Sequence, residues 1–147
     1  VWLRGPAVTP GYWQRTAETA AAFAGGWYRT GDLARREPNG FYRIVDRLKD
    51  MYVSGGENVY PAEIEAVLLD HPAVADVAVV GVTDERWGEV CAAFIVAASP
   101  VSEDELREHC LAELARFKVP KSFTFMDELP RNSMGKIQKS ELGKVTA

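Results

Sequence analysis

A lysine that follows a glycine, Lys136 after Gly135, lies in a polar segment that begins at Pro130. A lysine ammonium is a compact positive charge on a flexible stem, so it can follow negative charge that develops on phosphate oxygens. The segment is not a phosphate-binding P-loop, because Pro130 stands where that motif needs its first glycine and Ile137 where it needs serine or threonine. The simpler interpretation is a solvated surface lysine, and the residue type alone leaves both open.

Two further segments place charged residues beside glycine. Asp32 follows Gly31, and its carboxylate could accept hydrogen bonds from both hydroxyls of a ribose or could form only a local Asx-turn. Gly55-Gly56-Glu57 lies between two short strand-like runs and is typical of a hairpin turn. Adjacent glycines also let a backbone approach a narrow ligand closely, so a binding role is the alternative.

The pentad Asp46–Asp50 carries four charged side chains in five residues. It separates the strand-like runs Phe41–Val45 and Met51–Val53. A segment of this charge density cannot be part of a core, so it is either a solvated turn or a boundary between two compact units.

Four blocks of the sequence together resemble the adenylate-forming superfamily, specifically its acyl-CoA synthetases. They are Tyr28–Leu33, the pentad, Ser54–Glu65 and Pro130–Ile137, in that order. The resemblance covers nearly the whole chain. It implies the C-terminal portion of a fatty-acid or other acyl-CoA ligase, which uses ATP with Mg²⁺ to form an acyl-adenylate and then coenzyme A to form a thioester, by alternation of two domains.

The resemblance also implies a role for individual residues in adenylation. Lys136 matches the catalytic lysine that contacts the carboxylate substrate and the α-phosphate. Asp32 matches the aspartate that binds the ribose, and Arg47 matches the arginine that supports the same nucleotide. Ile44 matches a position near the adenosine, and Lys49 matches the hinge residue between the domains.

The second half-reaction involves other positions. Gly55, Gly56 and Glu57 match the hairpin along which the pantetheine arm of CoA runs. Trp87 and Phe117 match residues beside the CoA nucleotide, although Phe117 could instead be the last core residue of its helix. Some relatives carry arginine at the place of Val119, where this chain has no charge for a phosphate.

Charge is distributed unevenly along the 147 residues. Residues 1–48 carry seven Lys/Arg against four Asp/Glu, whereas residues 49–147 carry ten against seventeen. We therefore expect two units: residues 1–48 as the end of a large N-terminal domain and residues 49–147 as a small, mobile C-terminal domain. The acidic second part lacks the basic stripe that nucleic-acid binding needs.

The pattern predicts an α+β fold, a small mixed sheet with helices packed on one face, preceded by a β-rich piece of the larger domain. A short helix is expected at Gln14–Phe23. The second part should contain a hairpin around Gly55-Gly56, a helix opened by Pro61, and two antiparallel strands at Val74–Val82 and Val90–Ala97. A helix capped by Ser102 and Glu105, a strand at Lys121–Met126 and a short helix from Lys139 should follow.

Cys91 and Cys110 are expected to be buried free thiols, and neither joins the two histidines in a spacing suited to a metal. No apolar run is long enough for a membrane span, so a cytoplasmic location is expected. The start at Val1 and the lack of a phosphate-binding loop suggest a fragment, inactive without its N-terminal domain. Two other functions stay open: an adenylation enzyme that acylates a carrier protein, and a non-catalytic interaction fragment.

Overall fold

The computed structural model describes residues 1–143. Its internal contacts divide the chain into two compact units, Val1–Lys49 and a second that begins at Asp50. The sequence analysis placed the boundary one residue earlier, after residue 48. Each unit is described separately below.

The first unit is built from short strands and one helix. Strands β1 (Trp2–Leu3), β2 (Phe23–Ala24) and β3 (Trp27–Arg29) form an antiparallel sheet in the order β1-β3-β2. Strands β4 (Asp32–Arg36) and β5 (Tyr42–Arg47) form a separate antiparallel pair. None of its hydrophobic side chains is buried, and Trp13 and Phe41 are among those that face solvent. A segment this small cannot bury a core of its own.

Helix α1 (Thr16–Ala22) is shorter than the expected Gln14–Phe23. Gln14 has a φ of 52°, which is outside the helical region, and Phe23 leaves the helix to pair with Tyr28 in the sheet. Gly25 and Gly26, both with positive φ, form the turn between β2 and β3.

The second unit contains the core of the described chain. Its elements are β6 (Tyr52–Ser54), β7 (Glu57–Val59), α2 (Pro61–Leu69), β8 (Val74–Asp84), β9 (Gly88–Ala97), α3 (Glu103–Glu113), a 3₁₀ turn (Arg116–Lys118), β10 (Ser122–Phe125) and α4 (Lys139–Leu142). Strand β9 pairs antiparallel with β8 and parallel with β10, and the β6–β7 hairpin joins it where Ser54 pairs with Gly88. The expected α+β fold with a small mixed sheet is confirmed.

The alternation of side chains along β8 and β9 produces two apolar layers. On one face, Val77, Val79 and Ile95 pack with buried residues of α2 and α3, including Ile64, Leu68, Leu106 and Cys110. On the other face, Ala78, Ala92 and Phe94 pack with Leu129 and Leu142. The expectation that all helices share one face is therefore wrong for α4, because its buried Leu142 covers the opposite face. Ser102 accepts a hydrogen bond from the Glu105 amide, as expected of an N-cap.

Candidate functional site

The residues predicted to bind the nucleotide meet across the β4–β5 pair. Asp32 and Arg47 are cross-strand partners, and Arg47 Nε lies 3.6 Å from Asp32 Oδ1. The hydroxyl of Thr30 accepts a hydrogen bond from the Asp32 amide at 3.0 Å, which fixes the backbone there. The carboxylate is thus held beside a guanidinium while it keeps access to solvent. Ile44 lies on the same strand as Arg47, opposite Ala34, and is exposed.

Lys136 lies in a closed loop between Pro130 and Gln138, whose backbone groups bond at 2.8 Å. An isolated antiparallel bridge joins Arg131 to Ile137 inside this loop. The Lys136 side chain is exposed and has no ion-pair partner among residues 1–143. Its ammonium is therefore available to an anionic ligand.

The glycine hairpin has the geometry that its sequence predicts. Gly55 and Gly56 have φ values of +59° and +90°, as a two-residue turn between β6 and β7 requires. The Gly55 amide donates to the Trp87 carbonyl at 2.9 Å. A Cβ on Gly55 would lie 2.8 Å from Trp87 Cε3, so the indole ring packs directly on the glycine. Glu57 follows the turn, pairs with Ser54 and is exposed.

Trp87 and Phe117 line one pocket of about 280 Å³ beside this hairpin. Its other lining residues are Ser54, Val90, Cys91, Arg116, Val119 and Lys121. Phe117 is half exposed in the 3₁₀ turn, so it is not the last core residue of α3. The structure thus brings Gly55, Trp87 and Phe117 together in one site.

Two basic side chains, Arg116 and Lys121, line the pocket, which the sequence analysis did not predict. The Arg86 guanidinium lies 5.0 Å from the centre of the Trp87 ring, and the Lys121 ammonium 5.9 Å from it. Lys121 bonds Asp84 at 3.0 Å, and this hydrogen bond, aided by the amides of Trp87 and Arg86, lowers the pKa of the Asp84 carboxyl. Positive side chains therefore lie beside Trp87 and Phe117, near the uncharged Val119. The alternation of basic and apolar residues over 116–121 was the available signal.

The structure does not bring Lys136 and this pocket together. Ile137, next to Lys136, packs on the face of the sheet that contains Ala78 and Phe94. Cys91 and Val119, which line the pocket, belong to the apolar layer on the opposite face. The two predicted sites of the second unit therefore lie on opposite faces of one sheet.

Lys49 lies in an exposed turn over residues 48–50, between the two units. The turn follows β5 directly, and the Leu48 amide donates to the Gly31 carbonyl at 2.8 Å. This bond anchors the start of the turn to the first unit.

The cysteines are not nucleophiles in this fold. Both are buried free thiols, as expected. Burial raises the pKa of Cys91 to about 12 and that of Cys110 to about 11, so both are neutral near pH 7. The described residues contain no group of three or more His, Cys, Asp or Glu side chains that could hold a metal ion. Over the same residues, no helix has the length and apolar character needed to cross a bilayer.

Comparison with known proteins agrees with the fold. The family model described as AMP-binding enzyme C-terminal domain matches residues 63–136. The chain belongs to this family of small α+β domains.

The chain is also similar to particular ligases and synthetases. It is 49% identical over 140 residues to a 2-succinylbenzoate–CoA ligase of Bacillus cereus, covering 95% of this chain and 29% of that protein. The corresponding ligase of Bacillus licheniformis is 48% identical over 97% of this chain. The chain thus spans 29–30% of the length of these relatives.

Solved structures show the same similarity. The o-succinylbenzoate CoA synthetase of Bacillus subtilis, in complex with an acyl-adenylate intermediate, superposes with a TM-score of 0.92 at 44% identity, covering 96% of this chain and 29% of that one. A fatty acyl CoA synthetase of Mycobacterium tuberculosis superposes with a TM-score of 0.71 at 47% identity, covering 98% and 29%. The expected membership of the adenylate-forming superfamily is confirmed.

Proposed function

We propose that this chain is the C-terminal part of an ATP-dependent acid–CoA ligase. The enzyme joins a carboxylate to ATP, giving an acyl-adenylate and pyrophosphate, and the thiol of CoA then displaces AMP to give the thioester. The observation that carries the proposal is the placement of Lys136 and the glycine hairpin on opposite faces of one sheet. A unit with two functional faces suits a reaction with two chemically different steps.

In adenylation, Lys136 supplies positive charge to the carboxylate and the α-phosphate while negative charge builds up on the phosphate oxygens. Its exposed ammonium suits that role. Asp32, beside Arg47, accepts hydrogen bonds from the ribose hydroxyls, and Arg47 supports the nucleotide. Ile44 gives an apolar surface for the adenosine.

ATP can be assigned to described residues of this chain, whereas Mg²⁺ cannot. ATP with a magnesium ion is present in the Bacillus subtilis relative. Residues 1–143 contain no group of three or more His, Cys, Asp or Glu side chains for the ion, so no residue is assigned to Mg²⁺.

In thioester formation, the enzyme uses the face of the sheet beside the glycine hairpin and the Trp87 pocket. The pantetheine arm runs past Gly55, Gly56 and Glu57, where the turn presents backbone without side-chain bulk. Trp87 and Phe117 contact the CoA nucleotide, and the basic side chains at the pocket suit its phosphates. The exposed turn at Lys49 acts as the hinge that presents one face and then the other.

The acid substrate is a carboxylic acid, and the larger N-terminal domain that the resemblance implies would hold its pocket. 2-Succinylbenzoate is the first candidate, because Bacillus ligases that share 47–49% identity with this chain carry that name. The fatty acids suggested by the sequence analysis are the second, supported by the Mycobacterium tuberculosis synthetase.

The decisive experiment measures both half-reactions in the full-length protein that the proposal implies. Lys136→Ala should lower acyl-adenylate formation by about 10²- to 10³-fold, the usual loss for one preorganised charge-stabilising group. Thioester formation from supplied acyl-adenylate should persist. Met134→Ala is the matched control, because this exposed side chain lies in the same loop two residues away. Equal losses in both half-reactions would make Lys136 structural.

Two further measurements separate the alternatives. Transfer to a carrier protein in preference to free CoA would favour the carrier-acylating enzyme. The 147-residue chain alone should form no AMP from ATP, acid and CoA beyond its own Lys136→Ala variant, and activity there would contradict the assignment of this chain as an incomplete enzyme.

A further inference from the structure

Arg131 joins the Lys136 loop to the central sheet. One guanidinium nitrogen, Nη1, donates to the Gly135 carbonyl at 2.6 Å, and the other, Nη2, bonds a carboxylate oxygen of Asp76. Asp76 lies on β8, where its second oxygen accepts a hydrogen bond from the Val77 amide at 3.0 Å. A single side chain therefore connects a strand to the residue that directly precedes Lys136.

Asn132 fixes the same stretch from inside the loop. Its side-chain oxygen accepts hydrogen bonds from the amides of Met134 and Lys136, each at 3.0 Å. Its backbone amide donates to the Lys136 carbonyl at 2.9 Å. The backbone of Lys136 is thus bonded on both sides, whereas its side chain is exposed.

Gly135 is the residue at which this conformation of the Lys136 loop could change. Its φ is +78°, a Cβ built there would meet no atom within 4 Å, and its amide donates to the Asn132 carbonyl at 2.9 Å. Glycine moves between positive and negative φ at little cost. The bond from Arg131 to the Gly135 carbonyl restrains that motion.

We propose that Arg131, held by Asp76, is a positioning residue for adenylation, an inference that rests on the proposed function of Lys136. Arg131 orients the Gly135–Lys136 peptide so that the ammonium points at the developing phosphate charge. Asp76 neutralises Arg131, and Lys136 stays without an ion pair among the described residues. Only a guanidinium presents two fixed donors to a carboxylate and a carbonyl at once.

The test compares variants in the full-length ligase. Arg131→Met should lower the kcat of adenylation by about 10- to 100-fold, as expected for losing a charge-assisted hydrogen bond at a positioned group. The KM values for ATP and acid should change less than about threefold, since Arg131 contacts neither in this scheme. Arg131→Lys should recover only part of the loss, and Asp76→Asn should be intermediate. Arg15→Met is the control, because it breaks an exposed ion pair with Glu18 in the first unit.

Two readouts separate positioning from general destabilisation. Hydrogen exchange of residues 130–138 should become about tenfold faster in Arg131→Met, while that of β8 stays unchanged. Thioester formation from supplied acyl-adenylate should stay within about twofold, because the Lys136 loop serves only the first step. Parallel loss of both half-reactions, full rescue by lysine, or unchanged exchange would overturn the inference.

Lys136→Ala, measured alongside, distinguishes the two claims. If Lys136→Ala lowers adenylation and Arg131→Met does not, the positioning role is wrong and the proposed function stands. If Lys136→Ala leaves adenylation unchanged, the proposed function of Lys136 itself fails.

Discussion

Replacing Gly55 by alanine tests the contact between the hairpin and Trp87, and Gly56→Ala in the same turn is its matched control. Both glycines have positive φ, +59° and +90°, so either substitution strains the backbone. Only the Gly55 side chain would meet an atom: its Cβ would lie 2.8 Å from Trp87 Cε3 and 3.2 Å from Cζ3. The difference between the variants therefore isolates the packing of the indole ring.

The expected magnitudes follow from these two effects. An alanine in the left-handed region costs roughly 1–2 kcal/mol, which sets the loss for Gly56→Ala. In Gly55→Ala the Trp87 ring must also move away from Arg86 and Lys121, whose cations lie 5.0 and 5.9 Å from its centre. Each exposed cation–π contact contributes about 0.5–1 kcal/mol, so the total loss is about 2–4 kcal/mol. For a unit of this size, 1 kcal/mol corresponds to roughly 4–8 °C in Tm.

The assay is thermal unfolding combined with tryptophan fluorescence. In a background where Trp2, Trp13 and Trp27 are replaced by phenylalanine, Trp87 is the remaining tryptophan. Gly55→Ala should melt at least about 4 °C below Gly56→Ala and should make Trp87 more accessible to acrylamide. In the full-length enzyme it should also raise the KM for CoA more than Gly56→Ala does. Equal Tm values and equal quenching in the two variants would refute the packing argument.

Three further outcomes are expected. Lys49→Pro fixes φ near −65° in the turn over residues 48–50. It should leave the rate of adenylation within about tenfold of wild type while lowering the rate of thioester formation by roughly several hundredfold. Parallel losses of both rates in rapid-quench measurements would contradict the hinge role. Leu106→Ala should lower the free energy of unfolding by about 2–5 kcal/mol in urea titrations, against little change for the exposed Leu111→Ala on the same helix. Cys91 and Cys110 should resist alkylation at pH 8 until urea is added, and prompt labelling of the folded chain would contradict their burial. Because their folded pKa values of about 12 and 11 exceed the ordinary value of 9.0, the free energy of unfolding should fall as the pH rises from 9 towards 12.

Local patterns in the sequence were sufficient for most of the second unit. Gly55-Gly56 predicted a hairpin because positive φ at two successive positions favours glycine, and the capping pair at Ser102 predicted the start of α3. The β-branched run before the turn at Asp84 predicted β8, and the next apolar run its antiparallel partner. These features depend on interactions within a few residues, which the sequence displays directly.

The first unit was less predictable. Helix α1 ends at Ala22 because Phe23 pairs with Tyr28 across the Gly25-Gly26 turn, a contact that helical propensity does not report. Tertiary pairing overrode the local preference of an alanine-rich run.

The motifs around Lys136, Asp32 and Gly55 indicated the adenylate-forming superfamily, but the sequence did not show which of them share a site. The cross-strand pairing of Asp32 with Arg47 depends on the β4–β5 register. The meeting of Gly55, Trp87 and Phe117 depends on three separate segments packing together around one pocket.

The position of α4 was decided only by the tertiary structure. Its short sequence does not say which face of the sheet it covers, and Leu142 fills the layer under Phe94 because α2 and α3 already occupy the other face. The same packing places the Lys136 loop against β8 through Arg131 and Asp76, residues 55 apart in the chain. Sequence therefore determined most of the elements and the candidate site residues, whereas long-range packing determined which of them meet, because each face of a sheet is filled by whichever apolar segments reach it.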